Sequence, residues 1–331
     1  MVLDYFEPTQ SENVTGWTLT PDGKYLLMPS RLRRCVEAFL VADGGFPSSS
    51  DFGLRDTSWE PIAVETLPGG PSGEPWVAIV DTNAVVYWSR WDKFLWRNVE
   101  GSTTPDKSLV PVTGRQFKLG SVRGATRGGW LAVGGTAGAP AGGSVQLYRC
   151  DGDGLHNGQT AKEIEEAPYD VALDDAYLYV ATGRGRSVEV RSLATPSVVE
   201  NAFVSSARWY KPVRLALDPE RRRLWIVSYD RLFWAQLPPA GIVNGPIEVA
   251  PDGDCIGHIV VHQTGRVIAS CLYSHQLRVI DEATFTVSYL DIEDKPLLPP
   301  VHLPARLKTS GDLIFVSGLG SSKTWILQLQ S

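Results

Sequence analysis

Three side chains that bind or transfer charge recur at a constant spacing in the second half of the sequence. Arg214 lies 44 residues after Asp170, and His258 lies 44 residues after Arg214. A guanidinium group can hold an anionic ligand, and an imidazole can move a proton near neutral pH. A constant interval of this size predicts that the three residues occupy the same position in successive copies of one structural unit.

A second set of arginines and aromatic residues lies in short polar segments between apolar runs. Two of its members, Tyr229 and Tyr273, are again 44 residues apart. Aromatic rings beside arginines suit the recognition of a peptide, a sugar or an aromatic acid. The set consists of Arg31, Arg33, Arg34, Trp91, Arg184, Tyr229, Tyr273 and His275.

The elements that must position these residues are short apolar strands separated by tight polar turns. In the clearest unit, runs at 168–173 and 177–182 flank a turn, and more polar strands follow at 187–191 and 197–200. Seven such units follow one another, and their first turns are marked by Asp22, Thr82, Arg127, Asp175, Pro219, Thr264 and Ser310. Four short strands repeated at this period predict an all-β protein, a seven-bladed β-propeller of four-stranded antiparallel blades.

The two ends of the chain are expected to complete the same blade. The last unit, at about 301–331, stops one strand short, whereas a spare strand precedes the first unit within residues 2–8. Pairing of these segments would close the ring and remove exposed strand edges. We therefore expect one propeller domain over residues 1–331.

The repeats also resemble a known superfamily. Residues 168–182, PYDVALDDAYLYVAT, resemble the repeats of seven-bladed propellers of the YVTN and lactonase type, and residues 20–27 are similar to a turn of those and of WD40 repeats. The paired Gly-His and Trp-Asp marks of WD40 repeats are largely missing, because Gly257-His258 and Trp91-Asp92 stand alone in different units. The resemblance implies a WD40-like propeller over nearly the whole chain and carries no catalytic signature.

The propeller architecture places the charged residues at the start of the innermost strands, which line the central channel. Alignment of the units adds Gly16, Trp76, a position near Val122 and Arg306 to Asp170, Arg214 and His258. These residues can form one ligand site, or they can be polar because the channel contains water, with Asp170 and Arg214 as an ion pair between blades. The loop tyrosines likewise either bind a partner or pack against adjacent blades.

The composition of the chain argues against several classes of function. The chain has 331 residues, a 43% hydrophobic content that supports a large core, and a formal charge of −6, which disfavours nucleic-acid binding. Four isolated cysteines, no leader-like N-terminus and no apolar run of membrane-spanning length favour a reduced, cytoplasmic protein, with a periplasmic or secreted one as the alternative if a leader has been removed. A monomer is expected. Neither a metal nor a cofactor is expected, since the Asp/Gly segment at 151–158 lacks two calcium ligands, at Arg149 and Thr160.

Two functions remain. The first is a binding module that recognises a partner protein, a peptide or a small anionic ligand at the rim of the central channel. The alternative, implied by the lactonase-type resemblance, is a lactonase- or cycloisomerase-like enzyme. In it His258 is the general acid/base, Arg214 and Arg306 hold a carboxylate, and Asp170 orients one of them. A lectin with one site per blade is disfavoured, because equivalent positions differ between units.

Overall fold

Strands and turns account for the part of the chain that the structure describes. The computed structural model describes residues 2–6, 16–30, 34–41, 52–55, 60–67, 75–82, 85–91, 107–109, 123–127, 129–136, 143–164, 168–182, 186–204, 212–237, 243–290, 304–318 and 324–329. Within them, 28 strands form seven antiparallel sheets of four strands. In that part of the chain, no helix has the length and apolar character of a membrane span.

The strands follow one another blade by blade. The N-terminal strand is β1 (Val2–Phe6), and blade 1 contains β2 (Thr18–Leu19), β3 (Tyr25–Ser30), β4 (Cys35–Leu40) and β5 (Phe52–Arg55). Blade 2 contains β6 (Pro61–Leu67), β7 (Trp76–Asp81), β8 (Val86–Arg90) and β9 (Lys107–Leu109). Blade 3 contains β10 (Arg123–Arg127), β11 (Trp130–Thr136), β12 (Gly143–Asp151) and β13 (Gly154–Ile164).

The second half of the chain repeats the pattern. Blade 4 contains β14 (Pro168–Leu173), β15 (Tyr177–Thr182), β16 (Ser187–Ser192) and β17 (Asn201–Val204), and blade 5 contains β18 (Arg214–Asp218), β19 (Arg223–Ser228), β20 (Arg231–Gln236) and β21 (Val243–Glu248). Blade 6 contains β22 (Ile256–Val261), β23 (Arg266–Cys271), β24 (Gln276–Asp281) and β25 (Val287–Tyr289). Blade 7 contains β26 (Pro304–Ser310), β27 (Leu313–Gly318) and β28 (Thr324–Gln328), and β1 pairs with β28 as its fourth strand.

The seven blades form a ring around the innermost strands β2, β6, β10, β14, β18, β22 and β26. Each of these strands contacts the innermost strands of both neighbouring blades, including β2 against β26. A hydrogen bond from the indole N–H of Trp17 to the Ser317 hydroxyl (2.9 Å) also joins blades 1 and 7. The sequence prediction of a seven-bladed, all-β propeller is confirmed.

The hydrophobic core lies between blades. The buried side chains of the described residues form seven clusters, and each cluster combines side chains from two adjacent blades. A sheet in such a ring buries both faces, so its second strand reads as an unbroken apolar run, as in Leu224–Val227 of β19. This is why the repeats are visible in the sequence.

The structure corrects two assignments made from the sequence, one of a turn and one of a strand. The sequence pattern predicts the first turn of the second unit at Thr82, but Thr82 lies between β7 and β8, the second and third strands. Eight residues separate β6 from β7, more than separate the first two strands of any other blade, so the next short polar segment of the sequence resembles the expected turn. In blade 4 the fourth strand is Asn201–Val204 rather than 197–200, which belong to the preceding turn.

Candidate functional site

Four of the predicted residues occupy the same position in their blades. Asp170, Arg214, His258 and Arg306 each lie opposite the penultimate residue of the neighbouring second strand. In blades 4, 6 and 7 the pairing shifts by one residue just before this position, which is the signature of a β-bulge. The bulge bends the start of each strand, and this end of the innermost strands faces the same side of the ring as the loops between second and third strands.

Asp170 joins blades 4 and 5. Its carboxylate accepts the backbone N–H of Val171 (3.0 Å) and, across the blade interface, the N–H of Leu215 in β18 (2.9 Å). Both oxygens are therefore engaged with main chain rather than in the expected ion pair with Arg214. Hydrogen bonds from N–H groups to a carboxylate are strong, so Asp170 fixes the mutual position of two innermost strands.

Arg214 extends this connection to blade 6. Its Nε–H donates to the carbonyl oxygen of Gly257 (2.9 Å), and Nη1–H donates to the carbonyls of Val213 (3.0 Å) and Tyr169 (3.4 Å). One guanidinium group thus contacts main chain from blades 4, 5 and 6. Its positive charge lies directly beside Gly257, the residue that precedes His258.

Arg306 and Lys308 share one carboxylate. Arg306 Nη2 lies 3.6 Å from Glu65 Oε1, and Lys308 Nζ lies 3.5 Å from Glu65 Oε2 and 3.2 Å from the Thr18 hydroxyl. Burial lowers the pKa of Arg306; Glu65 and Asp170 oppose this, and the charge of Arg214 adds to it. Burial likewise lowers the pKa of Lys308. Arg306 therefore shares its electrostatic environment with both Asp170 and Arg214.

His258 lies between these two arginines in the order of the blades. Its backbone N–H donates to the Ser270 hydroxyl (2.9 Å), which lies 3.3 Å from the His258 carbonyl oxygen. The partly buried side chain stands on β22, which contacts both β18 and β26. Blades 5, 6 and 7 consequently present Arg214, His258 and Arg306 side by side, and we call this set the basic arc.

The described residues of the loops between second and third strands lie on the same side of the ring, and we call them the rim. Three of them end in a residue with positive φ immediately before the third strand: Arg34 (52°), Arg186 (46°) and His275 (59°). Tyr229, in the corresponding turn of blade 5, also has positive φ (60°). A positive φ is unusual for residues other than glycine, so at these positions the tight turn fixes the backbone that carries each side chain.

The tyrosine side chains of this rim are exposed on a well-held backbone. Tyr229 is 49% exposed and Tyr273 is 62% exposed. The Tyr229 carbonyl accepts the N–H of Ile256 (2.8 Å). The buried carboxylate of Asp254 accepts the N–H groups of Tyr273 (2.8 Å) and Ser274 (3.0 Å) and the Ser274 hydroxyl. Both tyrosines therefore flank the segment that leads into β22.

The lowered pKa of Asp254 is consistent with an ionised carboxylate that holds the loop of Tyr273 and Ser274. Burial by itself raises the pKa of the carboxyl group, but the hydrogen bonds from Ser274, Tyr273 and Cys255 outweigh it, so the pKa lies below its usual value. The ionised carboxylate holds the turn that carries Tyr273 and His275. Sequence reasoning missed Asp254, Glu65, Lys308 and Arg186; the alternation of Lys308 with Arg306 along one strand was the available signal for Lys308.

Two predicted aromatic residues lie elsewhere. Trp76 begins β7, the second strand of blade 2; it is buried against Trp88, with 4.9 Å between ring centres, and does not line the channel. Trp91 follows β8 and contacts Tyr25 at 5.1 Å between ring centres, on the face opposite the rim. Both misplacements follow from the shifted assignment of the second unit. Arg31, Arg33, Arg184 and Val122 lie outside the described residues, and Gly16 lies against the backbone of Ile62 and Ala63.

The described side chains do not form a candidate metal-binding site. Within the ranges given above, His, Cys, Asp and Glu residues form no group of three or more that could hold a metal ion. In the Asp/Gly segment, Asp151 and Gly154 are paired across the turn between β12 and β13, and Asp151 contacts His156 at 3.0 Å. This segment is a hairpin turn. The four cysteines are free thiols.

Comparison with known proteins identifies the fold. No family model and no curated protein matches the sequence. A chain in the crystal structure of the mitotic checkpoint complex is similar over 99% of this chain and 91% of its own, with 9% identity and a TM-score of 0.71. The β-propeller domain of Cps50 (Swd1) from Myceliophteria thermophila is similar over 98% of this chain and 100% of its own, with 11% identity and a TM-score of 0.64. Identities this low identify the architecture alone: the chain is a seven-bladed β-propeller.

Proposed function

We propose that this protein is a binding module that recognises a partner protein or peptide at the rim of the central channel. The observation that carries the proposal is the pair of exposed tyrosines, Tyr229 and Tyr273, on equivalent loops of adjacent blades. Tyrosine is enriched among the residues that dominate binding energy at interfaces. Arg34, Arg186 and His275 complete the rim.

The fixed backbone beneath the tyrosines supports this function. Each loop is held by main-chain or carboxylate hydrogen bonds to the segment 254–256. Binding to an already ordered surface loses less conformational entropy, so more of the contact energy contributes to affinity. At the positive-φ position of the described rim turns, blades 1, 4, 5 and 6 carry Arg34, Arg186, Tyr229 and His275, and this difference favours one composite site over a repeated one.

The enzyme alternative has less support. It needs Asp170 to orient an arginine side chain, but both carboxylate oxygens of Asp170 accept backbone N–H groups. His258 remains the candidate acid/base in that alternative. An enzyme of this kind would keep its catalytic activity in Tyr229→Ala and lose it in His258→Ala. A protein that binds its partner at the rim would lose binding in Tyr229→Ala and keep it in His258→Ala.

Selection of peptides tests the proposal directly. Peptides from a random displayed library are selected on the immobilised full chain, and their dissociation constants are measured by fluorescence anisotropy. We expect Tyr229→Ala/Tyr273→Ala to weaken binding at least tenfold. Tyr289→Ala is the matched control, because Tyr289 is 63% exposed in the same blade as Tyr273 but on the outermost strand. Failure to select any peptide, or equal affinity for both variants, refutes the proposal.

The cell compartment and oligomeric state complete the proposal. Four free thiols, three of them buried, suit a reducing compartment, and we propose a cytoplasmic location on this basis. We propose a monomer as the oligomeric state. Disulfide mapping after purification without reductant, together with light scattering, tests both points. An intramolecular disulfide in the native protein or a stable dimer would contradict them.

A further inference from the structure

We propose that the peptide segment recognised at the rim presents a positively charged side chain, a lysine or an arginine, to Tyr229 and Tyr273. This inference rests on the proposed function and adds the chemistry of the partner. The surface concerned lies on the rim side of blades 5 and 6, and we call it the tyrosine sector. Its solvent-accessible members are Tyr229, Asp230, Arg231, Glu248, Asp252 and Tyr273.

The connection from β21 to β22 lies between the turns of the two tyrosines. At its end, the N–H of Ile256 donates to the Tyr229 carbonyl (2.8 Å). Two residues earlier, the Asp254 carboxylate accepts the N–H of Tyr273 (2.8 Å). Asp252 precedes Asp254 by two residues and is exposed. The connection therefore holds the Asp252 carboxylate close to the turns of both tyrosines.

The accessible charges of the tyrosine sector are mostly acidic. Glu248 is 75% exposed, Asp230 is 40% exposed, and Asp252 is exposed. Arg231 lies 3.7 Å from Asp230 and 3.5 Å from Glu248, so its single charge is shared by two carboxylates. Three carboxylates against one guanidinium leave these side chains with a formal charge of −2. The buried, ionised Asp254 adds a further negative charge beneath them.

The other charges on the rim side of these two blades do not reverse this sign. Arg214, in the basic arc, donates to three main-chain carbonyls at the channel. Arg278 is 8% exposed and lies against the ring of Tyr289 on the outermost strand. The neighbouring segments 205–211 and 291–303 lie outside the described residues, and the charges of their sequences cancel: two basic residues in the first, three acidic and one basic in the second.

The rings of both tyrosines are available to a partner. Tyr229 is 49% and Tyr273 is 62% exposed, and within the described part of the chain neither ring has a hydrogen bond or a ring contact. The face of a tyrosine ring attracts a cation, and nearby carboxylates strengthen that preference and repel an anion. Tyr289 shows the same pairing within blade 6, since its ring centre lies 3.7 Å from the guanidinium carbon of Arg278. Rings and carboxylates of the tyrosine sector thus select the same ligand, a cationic side chain.

The test uses the peptides selected on the full chain, synthesised with acetylated N-termini so that only side chains carry positive charge. In matched peptides one lysine is replaced by norleucine, or one arginine by citrulline, which removes the charge and keeps the length of the side chain. We expect the critical replacement to weaken binding about three- to tenfold, the combined effect of an exposed cation–π contact and surface ion pairs.

A variant of the protein tests the same contact from the other side. Asp252→Asn is expected to weaken the charged peptide about threefold and to leave the neutral peptide unchanged. Glu220→Gln is the matched control, because Glu220 is an exposed carboxylate of blade 5 in the turn between β18 and β19, on the face opposite the rim. Asp252→Lys is expected to tighten binding of the peptide whose basic residue is replaced by glutamate.

The outcomes distinguish this inference from the proposed function. If Tyr229→Ala/Tyr273→Ala loses binding while charged and neutral peptides bind equally, the inference is wrong and the rim proposal stands. Binding that depends on a carboxylate of the peptide, as expected for an anionic ligand, also overturns the inference. If no peptide depends on the tyrosines, both are wrong. A gain of affinity in Asp252→Lys cannot arise from partial unfolding, and equal or weaker binding of the glutamate peptide by that variant, folded by its thermal melting curve, counts against the inference.

Discussion

We expect the stability of this protein to depend on pH near neutrality, because a buried carboxyl group lies between blades 5 and 6. Glu282 follows β24, and its side chain is only 3% exposed. Its Oε1 accepts the indole N–H of Trp225 (2.9 Å), and its Oε2 lies 3.1 Å from Arg221 Nε. Burial raises the pKa of Glu282 from 4.5 to about 7; Asp218 adds to the rise, and Trp225 and Arg221 oppose it.

The sign of the effect follows from proton linkage. A carboxyl group with a raised pKa in the folded state binds its proton more tightly there than in the unfolded chain. The free energy of unfolding therefore falls as pH rises from about 5 to about 7, and the penalty is fully present above pH 7. A rise of this size corresponds to at most about 3 kcal/mol, and because charged neighbours offset part of it, about 1–3 kcal/mol is the expected range.

The substitution Glu282→Gln removes the ionised form and keeps an oxygen that can accept the Trp225 N–H. We expect the variant to be more stable than the wild type at pH 8 by about 1–3 kcal/mol, which is a few degrees in apparent melting temperature, and to gain little at pH 5. Thermal melts between pH 5 and pH 8.5 measure this, with Glu200→Gln as the control at an exposed carboxylate. Parallel pH dependences of wild type and Glu282→Gln, or a destabilised variant at pH 8, would refute the reasoning.

Two further substitutions test the contacts that hold the ring and the rim. Gly16→Ala is expected to destabilise the protein by about 1–3 kcal/mol in urea denaturation, because an added Cβ would lie 2.0 Å from the Ile62 carbonyl oxygen and 2.6 Å from Ala63 Cα. Gly152→Ala is its control, since a Cβ there meets nothing within 4 Å. Asp254→Asn is expected to cost about 2 kcal/mol at pH 7 and to increase amide hydrogen exchange at Tyr273 and Ser274, because a carboxylate that accepts their N–H groups is lost. Because the pKa of Asp254 is lowered by folding, that difference should shrink as pH falls below about 4.

A specific experimental outcome would contradict each of these two predictions. Equal stability of Gly16→Ala and Gly152→Ala would mean that blades 1 and 2 can separate without cost at this point. Unchanged hydrogen exchange at Tyr273 in Asp254→Asn would mean that the rim loop is held by other contacts, and the argument for a preorganised tyrosine surface would lose its basis.

The repeat pattern was readable because the core lies between blades. A second strand that packs on both faces must be apolar throughout, and such strands recur at nearly constant intervals in blades 4 to 7. The positions of Asp170, Arg214, His258 and Arg306 could be predicted from that regularity. In blade 2 the regularity fails, since eight residues separate β6 from β7, and for this reason the sequence pattern does not place Trp76 and Trp91 correctly.

The sequence by itself determined the strand period, the number of blades and the blade positions of Asp170, Arg214, His258 and Arg306, because these depend on local patterns within about 45 residues. Only the tertiary structure decided how those residues are used. Asp170 meets a backbone N–H 45 residues away, and Arg306 meets Glu65 from the other half of the chain. Such pairings depend on the curvature of the ring and on side-chain reach across blade interfaces, which no local pattern encodes.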